Sequence, residues 1–318
     1  MIRFLVRRVL AGVIILWIVS IAVFALFFVA PHDVAQKLAG REATPATVAA
    51  VTRRLGLNRP ILDQYGSFLG RLLHGNLGYS FYNSEPVTHL IGSRIEIDLS
   101  LTLGGAVLWL AIGITTGVLA ATHPRSFIDR TATFFAVVFY AVPAFLLGLI
   151  LLYLLFFRLH LAGFEFFPGS GYVSISDPYE WARHLILPWV AVALTTAATY
   201  TRLTRAGMLD ALSEDYIRTA RAKGVPERTV IYRHALRAAL TSVVTQLGID
   251  IGVLLGGAVI TENVFGLPGL GQLAVQSVTQ QDLPVIIGIV MLGAAFIVVA
   301  NLLVDICYAV LDPRVRVH

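Results

Sequence analysis

Two carboxylates in apolar surroundings, Asp250 and Glu262, are the residues of this 318-residue chain whose placement most needs a chemical explanation. Asp250 falls near the middle of an apolar run over 238–260, where a carboxylate exposed to hydrocarbon costs several kcal/mol or is forced to protonate or find water. Its side chain therefore either lines an aqueous path or pairs with Arg202 or another helix end. Glu262 opens the stretch Thr261-Glu-Asn-Val-Phe-Gly-Leu-Pro-Gly-Leu-Gly271, in which Pro268 between Leu267 and Gly269 bends the chain. Phe265 and Leu270 in that stretch are expected near an external surface, although a tight turn without function would also account for the glycines. Asp305, near the end of the last apolar run, reads as a packing or interfacial residue.

No paired-acid or nucleophile arrangement joins these carboxylates. The eight histidines and the single cysteine, Cys307, have no metal-ligand spacing. No catalytic, cofactor or metal site is assigned. A phosphate loop of the GxxxxGK[ST] type is also missing, so nucleotide hydrolysis is not expected in this chain.

The elements that position these residues are membrane runs. With 57% hydrophobic and only 14% charged residues, and a mean hydropathy of +0.78, the chain has more apolar surface than a soluble core of its size needs. Lipid accounts for the excess. The net charge of +5 then belongs to topology and not to nucleic acid. Six crossings are predicted, over 9–30, 99–121, 131–157, 184–205, 238–260 and 284–311, each long enough for about 30 Å of hydrocarbon. The first is too long for a secretory h-region and is read as retained. Pro143 and Pro188 should kink their runs, and Gly104, Gly105, Gly113 and Gly117 permit close helix approach.

Between the first two crossings, 31–98 forms a long polar region with helical patterns at Thr47–Leu57 and Pro60–Leu73. Ile61, Leu62, Tyr65, Phe68, Leu69 and Leu72 share a face, which is expected on the membrane surface or on neighbouring helices. His74-Gly-Asn-Leu-Gly-Tyr-Ser-Phe81 supplies turn residues. If the amino terminus is cytoplasmic, the inside segments hold 15 Lys/Arg and the outside segments 9, with none in the loop 261–283. Both termini are therefore placed in the cytoplasm.

The segment 206–237 is a basic insert between two apolar runs. A helix, a Gly224-Val225-Pro226 break and a second helix are predicted there. Its small apolar face either rests on anionic lipid or forms a rigid knob that enters a groove on a partner.

The stretch DYIRTARAKGVPERTVIYRHALRAAL resembles the cytoplasmic EAA loop of permease subunits of binding-protein-dependent ABC importers. Arg218 and Thr219 stand where that pattern has Glu and its first Ala, Ala220 and Gly224 match it, and Arg237 replaces a terminal Pro. These departures are similar to those of the dipeptide and oligopeptide branch, of the DppB/OppB type. The resemblance extends over nearly the whole chain, including the Asn58-Arg-Pro to GNLGYS region and TENVFGLPGLGQL.

It implies an all-α membrane protein: a type I ABC importer permease fold of six transmembrane helices, with an extracytoplasmic insertion after the first and a cytoplasmic coupling helix. Tyr216, Ala220, Arg221, Gly224 and Val225 would meet an ATPase subunit. Asp250, Glu262, Phe265, Leu267 and Pro268 would lie at the translocation path or its gate, with Glu262 and Asp282 facing a basic patch of the binding protein or a peptide amine. The implied partners are a second homologous permease (DppC/OppC type), one or two ABC ATPases carrying ATP and Mg, an extracytoplasmic substrate-binding protein, and short peptides. Similar permeases handle nickel chelates or glutathione. The implied location is the bacterial plasma (inner) membrane. A self-contained channel or secondary transporter is the rival reading, and it would ordinarily show stronger inverted repeats and need no ATPase-docking segment. A membrane-embedded enzyme would need convergent catalytic residues near one membrane face, and none is evident.

Overall fold

The computed structural model describes residues 2–29, 44–55, 58–80 and 82–311. The 30–43 part of the predicted insertion, the end of its first predicted helix at 56–57, Phe81 and the basic tail 312–318 lie outside the described residues.

Helix α1, Ile2–Phe24, continues as a π-helical turn over Ala25–Val29. Two short helices follow, α2 (Pro45–Leu55) and α3 (Ile61–Leu73). The apolar face of α3 lies on neighbouring helices: Tyr65, Phe68 and Leu72 pack with Val23 and Phe24 of α1 and with Ile287 and Met291. The Tyr65 hydroxyl is 2.8 Å from the Ser20 hydroxyl.

Helix α4 spans Val87–Thr122. It starts well before position 99, where hydropathy places the crossing, because Arg94, Glu96 and Asp98 dilute the apolar signal of its first turns. Val87, Leu90, Ile91, Ile97 and Asp98 are nevertheless buried, at the spacing of one helical face. Next comes α5, Phe127–Ala141, followed by α6 over Ala144–Leu161. The predicted single run 131–157 is thus split. Val142 is extended ahead of Pro143 (φ −86°, ψ 123°), the conformation that a following proline ring favours.

Helix α7, Pro178–Ser213, contains Pro188 without a break in the helix. It carries on past 205 to the short α8, Asp215–Ala222, and α9 then runs over Glu227–Leu255. The stretch 261–283, expected as a loop, instead holds parts of two helices, α10 (Val259–Phe265) and α11 (Leu270–Gln280). Helix α12, Leu283–Leu311, closes the described chain.

Among the described residues six helices are long and apolar enough to cross a membrane. Helices α4 and α7 pack together over much of their length. A Cβ added at Gly113 would meet Tyr200 Cβ at 2.4 Å, and one at Gly117 would meet Thr204 Cβ at 2.6 Å. Only the bare backbone fits there. At the same crossing the Thr116 and Thr201 hydroxyls are 2.7 Å apart.

Candidate functional site: a coupling helix, a lined membrane carboxylate and a buried acid pair

The segment 206–237 resolves into the end of α7, the two turns of α8, and the start of α9. Ile217 is fully buried among Val118, Ala121, Met208, Ala211, Val230, Ala235 and Ala239. It anchors α8 across the ends of α4, α7 and α9. The helix ends in a Schellman turn, in which the Gly224 amide donates to Arg221 O and the Val225 amide to Ala220 O. Gly224 has φ +76° and open space around it, so its glycine serves the turn and not a close contact.

The sequence-predicted coupling residues divide between two faces. Ala220 and Val225 are half-buried against the Ile217 cluster and so face the chain's own helices. Tyr216, Arg221 and Gly224 are exposed, together with Asp215, Arg218 and Lys223. Arg221 is tied to Glu227 across the Gly-Val-Pro turn (2.6 and 3.1 Å), which holds its charge above the ordinary guanidinium range.

A second ion pair braces this end of the molecule. Arg205 of α7 grips Asp129 of α5 through Nε at 2.6 Å and Nη2 at 2.9 Å, the two-pronged geometry that matches a carboxylate. Asp129 also accepts from the Arg125 amide at 2.9 Å, and its own amide donates to the N-cap hydroxyl of Ser126. With Arg205 as the main cause, the Asp129 pKa falls to about 2.

Asp250 does not pair with Arg202. Its Oδ2 accepts from the Tyr200 hydroxyl at 2.8 Å and its Oδ1 from the Gln246 amide at 2.9 Å, whereas the Arg202 guanidinium lies over the Tyr140 ring, 5.1 Å from its centre. Tyr200 wins because its α7 position faces α9, and Arg202, two residues on, points away from it. Asp250 stays half-buried, on the side of α9 that carries buried Val243 toward Tyr200, while Ser242, Thr245, Ile249 and Val253 are exposed on a neighbouring face.

The TENVFGLPGLG segment departs most from expectation. Glu262 and Leu267 are fully buried, Phe265 and Leu270 nearly so, and only Pro268 of the gate candidates is exposed. Phe265 and Leu267 belong to the core formed with Ile97, Leu101, Leu185 and Leu187. Asp282, expected to face a partner, is buried as well and accepts from the Ser80 hydroxyl at 2.5 Å. An apolar loop placed outside hydrocarbon still buries its side chains when α4 and α7 offer a matching apolar face.

The partner that sequence reasoning missed is Asp98. Asp98 and Glu262 converge on Gly269, where a Cβ would lie 3.1 Å from Asp98 Oδ2 and 2.6 Å from Glu262 Oε2, and both receive backbone donors from the start of α11. The Leu270 amide gives to Asp98 Oδ2 and the Gln272 amide to Glu262 Oε2, each at 2.8 Å. Burial pushes the Glu262 carboxyl above the ordinary glutamate range. The signal was present in the sequence: Asp98 falls on the face marked by Leu90, Ile91, Ile97 and Leu101.

Comparison with known proteins decides the family. A family model described as "Binding-protein-dependent transport system inner membrane component" matches residues 113–317, and the model of the family's N-terminal portion matches 1–102. The chain belongs to this family. It is 38% identical over 314 residues to a Sinorhizobium fredii protein named "Probable peptide ABC transporter permease protein y4tP", covering 98% of this chain and 99% of that one. It is 36% identical over 316 residues to the Escherichia coli glutathione transport system permease protein GsiC, covering 99% of each. A solved chain of the MetNI methionine ABC transporter in inward-facing conformations superposes with a TM-score of 0.57 at 19% identity, covering 72% of this chain and 99% of that one. This likeness shows a type I importer permease fold. The chain is accordingly a multi-pass membrane permease component, and α8 lies in the stretch that resembles the EAA loop of such permeases.

Proposed function

We propose that this permease is one of two related subunits enclosing the translocation path of an ATP-driven importer of dipeptides or short oligopeptides. The observation that carries the reading is α8, a two-turn helix fixed from beneath by buried Ile217 and presenting Tyr216, Arg218 and Lys223 outward. A rigid, wet, positively charged knob suits a groove on a separate ATPase chain better than it suits lipid. ATP and Mg belong to those ATPase chains, and this chain takes no cofactor of its own.

The permease sits in the bacterial inner membrane with both termini in the cytoplasm, a topology supported by the excess of basic residues in the segments on the α8 side. An extracytoplasmic binding protein delivers cargo to the opposite face. ATP binding draws the α8 helices of the two permeases together and shifts the assembly between two discrete states. The Arg205–Asp129 pair makes α5 follow α7 in that movement. Asp250, half-buried and steadied by Tyr200 and Gln246, lines the path.

Peptide cargo is supported by the S. fredii relative and by the resemblance to the dipeptide branch, and glutathione is the second reading, favoured by the E. coli relative. Proteoliposomes holding the whole assembly, with binding protein and ATP, should accumulate a labelled dipeptide, and unlabelled short peptides should compete. Competition by glutathione alone would move the assignment to the second reading. Accumulation without any ATPase subunit would reject the importer.

A further inference from the structure

We infer that Asp98 of α4 and Glu262 of α10 form a buried binding site for one proton, and that this proton holds the α10–α11 segment against α4. The two side chains are 1% and 0% exposed and lie side by side over Gly269, whose Cβ would meet an oxygen of each. Each spends one oxygen on a backbone amide of α11, and the other oxygens, Asp98 Oδ1 and Glu262 Oε1, are buried with no hydrogen-bond partner. Two carboxylates cannot both ionise in contact and out of water, because each charge disfavours the other and neither is hydrated. A single shared proton removes that conflict and supplies the missing donor.

The surroundings favour a proton over a metal ion. The donors facing the pair are amides at the start of α11, where the helix dipole already supplies positive charge. No group of three metal-ligating side chains occurs among the described residues. Arg94 is the cation acting on both carboxyls and also on Glu85, and its hydrogen bond goes to Pro268 O at 3.4 Å. With one proton on the pair, the charges of Asp98, Glu262 and Arg94 sum to zero. With none, the site carries a net negative charge.

The glycines of the motif enclose this site. A Cβ at Gly269 would lie 2.6 Å from Glu262 Oε2 and 3.1 Å from Asp98 Oδ2, and one at Gly271 would lie 2.8 Å from Glu262 Oε1. The bend Leu267-Pro268-Gly269 therefore closes over the acids and keeps out the water that would stabilise two charges. Seating α10–α11 binds the proton, and unseating it in alkaline solution releases the proton.

The sign follows. When the segment opens to water, Glu262 returns toward its ordinary value of about 4.3, so the seated form holds more protons above that pH. Seating weakens as pH rises, by up to about tenfold per pH unit for one proton, until the raised value is passed.

The test measures thermal unfolding of the full-length permease in its complex, in lipid nanodiscs, across acidic to alkaline pH. The wild type should lose stability as pH rises, and Glu262→Gln and Asp98→Asn, each supplying a permanent donor, should flatten that loss. Unaltered pH dependence in both variants would overturn the proposal. Rescue of the alkaline loss by sodium ions would also overturn it, since a cation would then fill the site. Should either variant fail to assemble, the infrared spectrum of the wild type decides: a protonated carboxyl band slow to exchange in heavy water at neutral pH supports the site, and its absence refutes it. Neither readout involves cargo or ATP, so failure here leaves the importer reading standing.

Discussion

Helix α8 and the α10–α11 segment are both short, glycine-punctuated interruptions between membrane helices, yet they solve opposite problems. In α8 the charges stay wet, Gly224 turns the backbone at φ +76° in open space, and a single buried side chain, Ile217, fixes the helix to the bundle. In α10–α11 the charges are dry, Gly269 and Gly271 exist because carboxyls and backbone come within 3 Å of where a Cβ would sit, and Phe265, Leu267, Leu270 and Leu273 point inward. One segment leaves its charged face open to solvent, and the other seals this chain against itself. A motif rich in glycine thus indicates a surface or an interior according to whether its carboxylates are reached by water or closed in by backbone amides.

Valine substitutions separate the two roles, and the largest effect is expected in the interior. Gly271→Val would drive a Cβ to 2.7 Å from Val259 N and Cα, costing more than about 3 kcal/mol because backbone must move. The purified variant should give little folded protein on size exclusion, and a normal melt would contradict the close packing.

Next in size is the brace near α8. Arg205→Ala removes two charge-assisted hydrogen bonds from Asp129 and should cost about 1–2 kcal/mol, reduced by the partial exposure of the arginine. Since Asp129 titrates at about 2, below its unfolded value of about 3.9, the pair contributes fully above the unfolded value. Its contribution is lost only as pH falls through the folded one. The melting difference between wild type and Arg205→Ala should therefore hold constant across neutral pH and shrink only in strong acid. A difference that vanished near neutrality would point to a different partner.

The smallest effect on stability belongs to the turn. Gly224→Val meets no neighbour and is opposed only by its left-handed backbone, about 1–2 kcal/mol. It should leave insertion and folding intact while lowering ATP-driven uptake, because the Schellman turn sets the angle at which α8 meets its partner. Loss of folding without loss of coupling would reverse the comparison.

Much of this was legible from residue order alone. Long apolar runs and basic flanks gave six crossings, and the resemblance around Gly224 located the coupling helix. What escaped the sequence was tertiary. Hydropathy could not extend α4 back to Val87, because Arg94, Glu96 and Asp98 mask a face whose burial depends on α11 and α12. Nor could it show that Glu262 and Asp282 point inward, since an acidic loop without basic residues looks solvated until its helices are packed. For Asp250 residue order left open an aqueous path or a pairing with Arg202 or another helix end. Side-chain direction on α7, which puts Tyr200 toward α9, removes the Arg202 pairing.

The account rests on α8 being the surface that a nucleotide-driven subunit grips. With Cys307→Ser removing the native thiol, a cysteine introduced by Tyr216→Cys should crosslink to an ATPase chain in the assembled complex, with a yield that changes between ATP-bound and nucleotide-free states. Labelling of that cysteine by a membrane-impermeant thiol reagent added outside intact cells, with no crosslink to any ATPase chain, would contradict the account.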